Sequence, residues 1–160
     1  MGKHKVFVYG TLRIGQVNFE RYMSSAVFYG KGKTAFGAGL YSEGGVPYAK
    51  QIEGAPPVVG ELYAVDDEGL RWLDRLEGHP RVYRREMVPV LVGGNVYMAW
   101  MYFYIGRVHG LPYQDFVAYR EHRKSNVFCG ECGGPVDASG YISDDFCVCG
   151  ECVAVAVGDR

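Results

Sequence analysis

Short apolar runs separated by glycine-rich turns make up most of the first 125 residues. Four of these runs have the length and residue types of β-strands: Lys5–Tyr9, Val58–Val65, Tyr83–Val92 and Asn95–Ile105. Two consecutive glycines separate the last two runs, which predicts a hairpin. Residues 26–57 mix glycine with aromatic side chains, a composition typical of bent and bulged strands. The pattern therefore predicts a small, mainly antiparallel β-barrel.

Three further segments have the apolar spacing of helices. Asp66–Leu76 is the clearest, because its leucines recur every three residues and an aspartate can cap its start. Gly78 can end this helix in a left-handed conformation. Gln16–Ser25 and Pro112–Lys124 have weaker amphipathic patterns. The chain is therefore expected to have an α+β fold, a barrel with two or three flanking helices.

Charge divides the chain in two. Residues 1–124 hold 16 Lys and Arg against 12 Asp and Glu, whereas residues 125–160 hold one arginine against six acidic residues. We therefore expect a barrel domain at residues 1–125 and a separate tail at residues 126–160. The apolar runs are too short to span a bilayer, and no apolar signal segment is found at the N-terminus. These features predict a cytoplasmic protein that does not enter a membrane.

All five cysteines lie in the acidic tail. Cys129-Gly-Glu-Cys132 and Cys149-Gly-Glu-Cys152 are two copies of one knuckle, and four thiolates at this spacing suit tetrahedral zinc. The intervening residues could form a small hairpin, so the tail is predicted to be a zinc ribbon that the metal holds together. Cys147 is left over and could replace Cys149 as a ligand. An iron site or a redox pair is the alternative.

The remaining roles of the tail follow from its charge and from the clustering of its cysteines. Nucleic-acid binding is disfavoured because phosphate contacts need Lys and Arg, which are nearly absent here. A docking surface for a protein partner, or a surface for self-association, fits the acidic tail better. The paired knuckles also argue against a catalytic thiol, because a nucleophilic cysteine would stand alone.

Two features of the barrel domain have chemical interest. The turn at Tyr9–Arg13 follows a strand, and its N–H groups could bind an anion, although a plain strand-to-helix turn is the alternative. A phosphate-binding loop is disfavoured because Gln16 and Val17 stand where that motif has Lys and Ser or Thr. Glu77 ends the predicted helix, where the dipole disfavours a carboxylate by about 0.3–1 kcal/mol. A carboxylate in this unfavourable position indicates a functional residue. The alternative is that Glu77 simply pairs with a neighbouring arginine, Arg75 or Arg81.

The ordered motifs Tyr9–Arg13 (YGTLR), Leu73–Gly78 (LDRLEG) and Tyr83–Glu86 (YRRE) resemble the γ-glutamylcyclotransferase superfamily. The resemblance covers roughly residues 4–124 and points to the short, AIG2-like branch that contains the γ-glutamylamine cyclotransferases. It implies a six-stranded barrel with flanking helices. The cysteine tail is a departure from the family pattern.

The resemblance also implies roles for single residues. The catalytic glutamate of the family falls on Glu77, and the glutamyl-binding loop falls on Tyr9, Gly10, Thr11 and Leu12. The side chains expected to line the pocket are Tyr83, Arg85 and Tyr102. Family members release 5-oxoproline and a free amine from a γ-glutamyl donor, which is either a small molecule or a group carried on a macromolecule.

This chemistry fits the residue types. The α-amine of the donor attacks its own γ-carbonyl, so proximity supplies much of the rate and no Ser or Cys nucleophile is needed. One carboxylate can take a proton from the amine and return one to the leaving nitrogen, so no catalytic cofactor is expected. The rival interpretations are a catalytically silent γ-glutamyl-binding or protein-interaction module, and a zinc-dependent nucleic-acid adaptor.

The zinc prediction can be tested by metal analysis of the purified full-length protein. We expect about one zinc per chain, because four thiolates complete a tetrahedral site. Cys132→Ser should lower the zinc content well below that value. Cys147→Ser distinguishes the two ligand sets, because it keeps the metal if Cys149 is the fourth ligand and loses it if Cys147 is. A protein purified without chelators that contains no zinc would contradict the prediction.

Overall fold

A computed structural model of the chain describes residues 3–125, 142–143 and 145–146. The cysteines of the predicted zinc ribbon, Cys129, Cys132, Cys149 and Cys152, lie outside these described residues, as does Cys147. The zinc ribbon and the domain boundary at residue 125 therefore stay predictions. No helix within the described part of the chain is long and apolar enough to cross a bilayer.

Ten elements make up the described part of the first 125 residues. In chain order they are β1 (His4–Val8), α1 (Phe19–Met23), β2 (Val27–Thr34), β3 (Ala38–Glu43), β4 (Val46–Gln51), β5 (Val59–Val65), α2 (Asp67–Glu77), β6 (Tyr83–Val92), β7 (Asn95–Tyr104) and α3 (Phe116–Ser125). A two-stranded pair, β8 (Ile142–Ser143) with β9 (Asp145–Phe146), follows. Residues 1–41 and 46–115 form one compact unit, and α3 belongs to a second.

A closed barrel with the strand order β1-β5-β2-β6-β7 forms the centre of the first unit. Every neighbouring pair is antiparallel except β1 and β7, which close the barrel through a parallel pairing of Val6 with Trp100. The predictions of an α+β fold, a mainly antiparallel barrel and a hairpin at Gly93-Gly94 are thus confirmed.

The barrel has five strands rather than the expected six. Strands β3 and β4 pair with each other as a separate two-stranded sheet. The reason is that each barrel strand already has a neighbour on both sides, so no edge is free to accept a sixth strand. At the end of β2 the Thr34 hydroxyl accepts the N–H of Val58 (2.9 Å) and donates to the carbonyl of Phe36 (2.8 Å), which turns the chain out of the barrel.

Helix α2 packs its apolar face on the barrel as the leucine spacing predicts. Leu70 and Leu73 are buried, and Leu76 packs against the same core. The side chain of Asp66 accepts a hydrogen bond from the N–H of Gly69 (2.7 Å), so Asp66 is the N-cap. Gly78 ends the helix with φ +68°. The N-terminal helix α1 is shorter than the predicted Gln16–Ser25.

A buried ion pair ties the turn after β1 to the barrel. Arg13 and Glu61 are each less than 5% exposed, and Arg13 Nε lies 3.2 Å from Glu61 Oε2. The other carboxylate oxygen accepts the N–H of Ile14 and the hydroxyl of Tyr63, both at 2.9 Å. Arg13 also donates to Asp115 at 2.9 Å. Since the partners are satisfied on both sides, the turn is held in one position against β5.

Breaking this pair should destabilise the fold. We expect Arg13→Met to lower the free energy of unfolding by about 3–5 kcal/mol, because Glu61 would stay buried without its cation. Urea denaturation followed by circular dichroism measures the loss. Arg84→Met is the matched control, because Arg84 forms an exposed ion pair with Glu86 whose loss should cost less than about 1 kcal/mol. Equal losses in the two variants would contradict the interpretation.

Candidate active site

The turn at Gly10–Arg13 leads out of strand β1 and lies at one wall of a cavity. The N–H of Arg13 donates to the Gly10 carbonyl (3.0 Å), which closes a β-turn with Thr11 and Leu12 at its centre. Neither central N–H donates to an acceptor within the described residues. These two amides are therefore available to a carboxylate or an oxyanion.

Glu77 enters the same cavity from helix α2. It is the last residue of the helix, and the left-handed Gly78 turns the chain away immediately after it. The N–H of His79 donates to the carbonyl of Asp74 (2.9 Å), which fixes this C-terminal turn. The helix end therefore holds the carboxyl group of Glu77 in a defined place at the cavity wall.

The cavity is narrow and open to solvent, with a volume of about 50 Å³. Most of the residues that the sequence predicts for the site line it together. The complete lining is Phe7, Val8, Tyr9, Gly10, Thr11, Leu12, Val46, Pro47, Glu77, Tyr83 and Tyr102.

Burial dominates the electrostatics of Glu77. It raises the pKa of the Glu77 carboxyl from 4.5 to about 7, because a charge in a poorly solvated place is disfavoured. Among the described residues no group forms a hydrogen bond or an ion pair with the side-chain carboxyl of Glu77. The alternative of a pairing with Arg75 or Arg81 is therefore wrong; the Arg75 guanidinium lies over the Trp72 ring, 4.9 Å from its centre. Glu77 is thus a carboxyl that exchanges a proton near neutral pH.

Three tyrosine hydroxyls lie around this carboxyl. Tyr9 donates to the backbone carbonyl of Tyr102 (2.7 Å), and Tyr83 donates to that of Pro47 (2.9 Å). The hydroxyl of Tyr102 donates to the Asp74 carboxylate (2.6 Å). Burial is the main cause that raises the pKa of all three well above the ordinary value; for Tyr102 the hydrogen bond to Asp74 raises it further, and for Tyr9 and Tyr83 the nearby Glu77 charge does. The three side chains therefore stay protonated and neutral.

Arg85 is not among the cavity-lining residues, although the resemblance implies it. Its guanidinium forms two hydrogen bonds to Asp74, at 2.8 and 3.1 Å, and lies over the Trp100 ring, 4.3 Å from its centre. Through Asp74 it is linked to the hydroxyl of Tyr102. Arg85 therefore lies behind the cavity wall, one residue removed from the space that a ligand would occupy.

Sequence reasoning missed five residues of this region. Phe7 and Val8 of strand β1 and Val46 and Pro47 of strand β4 line the cavity, and Asp74 holds the hydroxyl of Tyr102. A Cβ atom on Gly10 would collide with the Pro47 ring, so this position requires glycine. The spacing of Asp74 and Glu77 on one helix could have indicated Asp74, whereas nothing local indicates β4. Within the described residues no cluster of acidic, His or Cys side chains could hold a metal ion.

The fold and the site are those of a small closed barrel with a half-buried carboxyl in one cavity with a turn of free amides. Comparison with known proteins then gives the family. A model of the family "gamma-glutamyl cyclotransferase, AIG2-like" matches residues 6–124. The chain belongs to this family, and the resemblance found in the sequence motifs is confirmed.

Individual relatives agree with this assignment. A homologue from Methanocaldococcus jannaschii, which carries the γ-glutamylcyclotransferase name, is 44% identical over 100 residues, covering 62% of this chain and 82% of that protein. The human γ-glutamylaminecyclotransferase is 37% identical over 92 residues, covering 53% of this chain and 60% of the human protein. The crystal structure of an AIG2-like protein from Mus musculus superposes with a TM-score of 0.62 at 29% identity, covering 68% of this chain and 81% of the mouse chain.

The raised pKa of Glu77 has a consequence for stability. Between pH 4.5 and about 7 the folded state binds the Glu77 proton more tightly than the unfolded state does. Wild-type stability should therefore fall with rising pH relative to Glu77→Gln, by up to about 3 kcal/mol at pH 8. Urea denaturation of both proteins at pH 4 and pH 8 measures this difference. Glu68→Gln, an exposed position on the same helix, is the matched control, and a Glu77 difference that does not grow with pH would contradict the burial argument.

Proposed function

We propose that this protein cyclises γ-glutamyl donors to 5-oxoproline with release of a free amine, using Glu77 as the general acid and base. The observation that carries the proposal is an unpaired carboxyl, with its pKa raised to about 7, in one cavity with the amides of Thr11 and Leu12. A group of this pKa can both take and return a proton at neutral pH. Membership of the γ-glutamyl cyclotransferase family supports the same reaction type.

The cavity suggests how the donor is held. The free N–H groups of Thr11 and Leu12 bind either the α-carboxylate or the oxygen of the γ-carbonyl, where negative charge develops during attack. Glu77 and the tyrosine hydroxyls lie on the side that the α-amine occupies. Holding the donor folded brings its amine within reach of its γ-carbonyl, which makes the reaction intramolecular.

The proton transfers form a cycle that regenerates Glu77. The α-ammonium gives one proton to Glu77, and the resulting amine attacks the γ-carbonyl to form the ring nitrogen–carbon bond. Glu77 passes this proton to the leaving nitrogen, then takes the second proton from the ring nitrogen and passes it to the amine as the old carbon–nitrogen bond breaks. Two protons in total leave the attacking nitrogen, the amine departs as an ammonium ion, and Glu77 ends as the carboxylate it was at the start.

The leaving amine extends through the open side of the cavity, so the substrate class is broad. The mammalian relatives are named γ-glutamylaminecyclotransferases, which favours γ-glutamyl amines for this chain. A γ-glutamyl group carried on a peptide or protein fits the same opening. A panel of γ-glutamyl amines, dipeptides and isopeptides, with 5-oxoproline as the readout, distinguishes these donors.

We also propose that the cysteine tail is a structural zinc ribbon outside the reaction. Four thiolates in two knuckles fill a tetrahedral zinc shell and leave no open position for a substrate. Its acidic balance favours a protein partner or self-association over nucleic acid.

The acid–base role predicts that Glu77→Gln lowers kcat/KM for 5-oxoproline formation by about 10²–10⁴-fold, because an amide neither takes nor returns the proton. The variant should keep its circular dichroism spectrum. Glu68→Gln on the same helix is the matched control and should keep wild-type activity. More than about a tenth of wild-type activity in Glu77→Gln would remove Glu77 from this role. A wild-type protein that binds γ-glutamyl donors but releases no 5-oxoproline would be the catalytically silent binding module instead.

A further inference from the structure

Each of the three tyrosines that line the cavity has one hydroxyl proton, and that proton is already donated within the protein. Tyr9 and Tyr83 donate to backbone carbonyls, and Tyr102 donates to the Asp74 carboxylate. The Tyr9 oxygen also accepts a backbone hydrogen bond from Ala49. A neutral phenol has a single O–H donor and two oxygen lone pairs. Toward the cavity these hydroxyls can therefore only accept hydrogen bonds.

The direction of the Tyr102 proton depends on a side chain rather than on the backbone. Burial alone would raise the pKa of Asp74, but the hydrogen bonds from Arg85 and Tyr102 keep it below the ordinary value. Asp74 is thus a carboxylate, which accepts hydrogen bonds and cannot donate one. The two contacts from Arg85, at 2.8 and 3.1 Å, keep this carboxylate in place. The O–H of Tyr102 therefore points away from the cavity.

We infer that Asp74 is a positioning residue that, by taking the hydroxyl proton of Tyr102, makes the tyrosine wall select donors with a free α-ammonium group. The inference rests on the proposed cyclisation, because it assigns the amine end of the same substrate. An ammonium group has only N–H donors, which match a wall of oxygen lone pairs. A carboxylate, or a group that brings only acceptors, finds no donor on this wall and is left without partners there.

The wall also explains how the substrate is oriented. The amides of Thr11 and Leu12 offer donors on one side of the cavity, and the hydroxyls of Tyr9, Tyr83 and Tyr102 offer acceptors on another. A glutamyl group carries an anionic carboxylate and a cationic amine on the same carbon. When the amides of Thr11 and Leu12 bind the α-carboxylate, the tyrosine oxygens take the amine on the same carbon, which then lies beside Glu77.

Binding of two small molecules that cannot react tests this inference. L-glutamate and glutarate differ by the α-amino group, and isothermal titration calorimetry of the full-length protein gives both affinities. We expect wild type to prefer glutamate by at least about tenfold. Tyr102→Phe and Asp74→Asn should each reduce this preference by about tenfold and leave glutarate binding within about threefold. Asp74→Asn should have no further effect in the Tyr102→Phe background, because it acts through that hydroxyl.

Three results would overturn the inference. The first is a wild-type protein that binds glutamate no better than glutarate, or binds neither. The second is an equal loss of both ligands in Asp74→Asn, and the third is an undiminished Asp74→Asn effect on the preference in the Tyr102→Phe background. Thermal melting of each variant checks that it is folded, and the exposed Tyr29→Phe is the matched control. A protein that keeps the glutamate preference but releases no 5-oxoproline from any donor would refute the proposed function alone.

Discussion

The buried ion pair between Arg13 and Glu61 is the contact on which the site depends. It fixes the turn after β1 against β5, so the amides of Thr11 and Leu12 keep one place in the cavity wall. A buried pair with incomplete partners would cost more than it contributes. Here Tyr63 and the N–H of Ile14 complete the coordination of the carboxylate. The family motif at Tyr9–Arg13 thus combines a binding turn with its own anchor.

Another part of the cavity wall is formed by the end of helix α2. Gly78 stops α2 immediately after Glu77, and the helix supplies a rigid base for the carboxyl. Burial without a cationic partner moves its pKa to about 7. The enclosed position and the helix end both disfavour the charged form of the Glu77 carboxyl, and this is why its pKa lies near neutral pH. Asp74, one turn earlier on the same helix, accepts the hydroxyl proton of Tyr102, so one helix end positions both the Glu77 carboxyl and the Tyr102 hydroxyl.

Much of the fold could be read from the sequence because its signals are local. The leucine spacing and Gly78 predicted α2 within one residue of its observed end, and the glycine pair predicted the β6–β7 hairpin. The number of barrel strands was mispredicted, because residues 38–51 have strand composition and only closure of the barrel decides whether an edge is free for them. Arg85 was predicted to line the cavity, but its partner Asp74 holds it behind the wall.

The sequence by itself determined the residue types of the site: a turn rich in free amides, a carboxyl at a helix end, and tyrosines on the strands that follow. Their chemistry depends on side chains and local backbone, which short motifs specify. Only the tertiary structure decided that the Glu77 carboxyl is enclosed without a partner, that β4 completes the cavity, and that each tyrosine proton is donated to an acceptor of the protein. These properties arise between segments distant along the chain, where burial and hydrogen-bond direction follow from packing and not from local sequence.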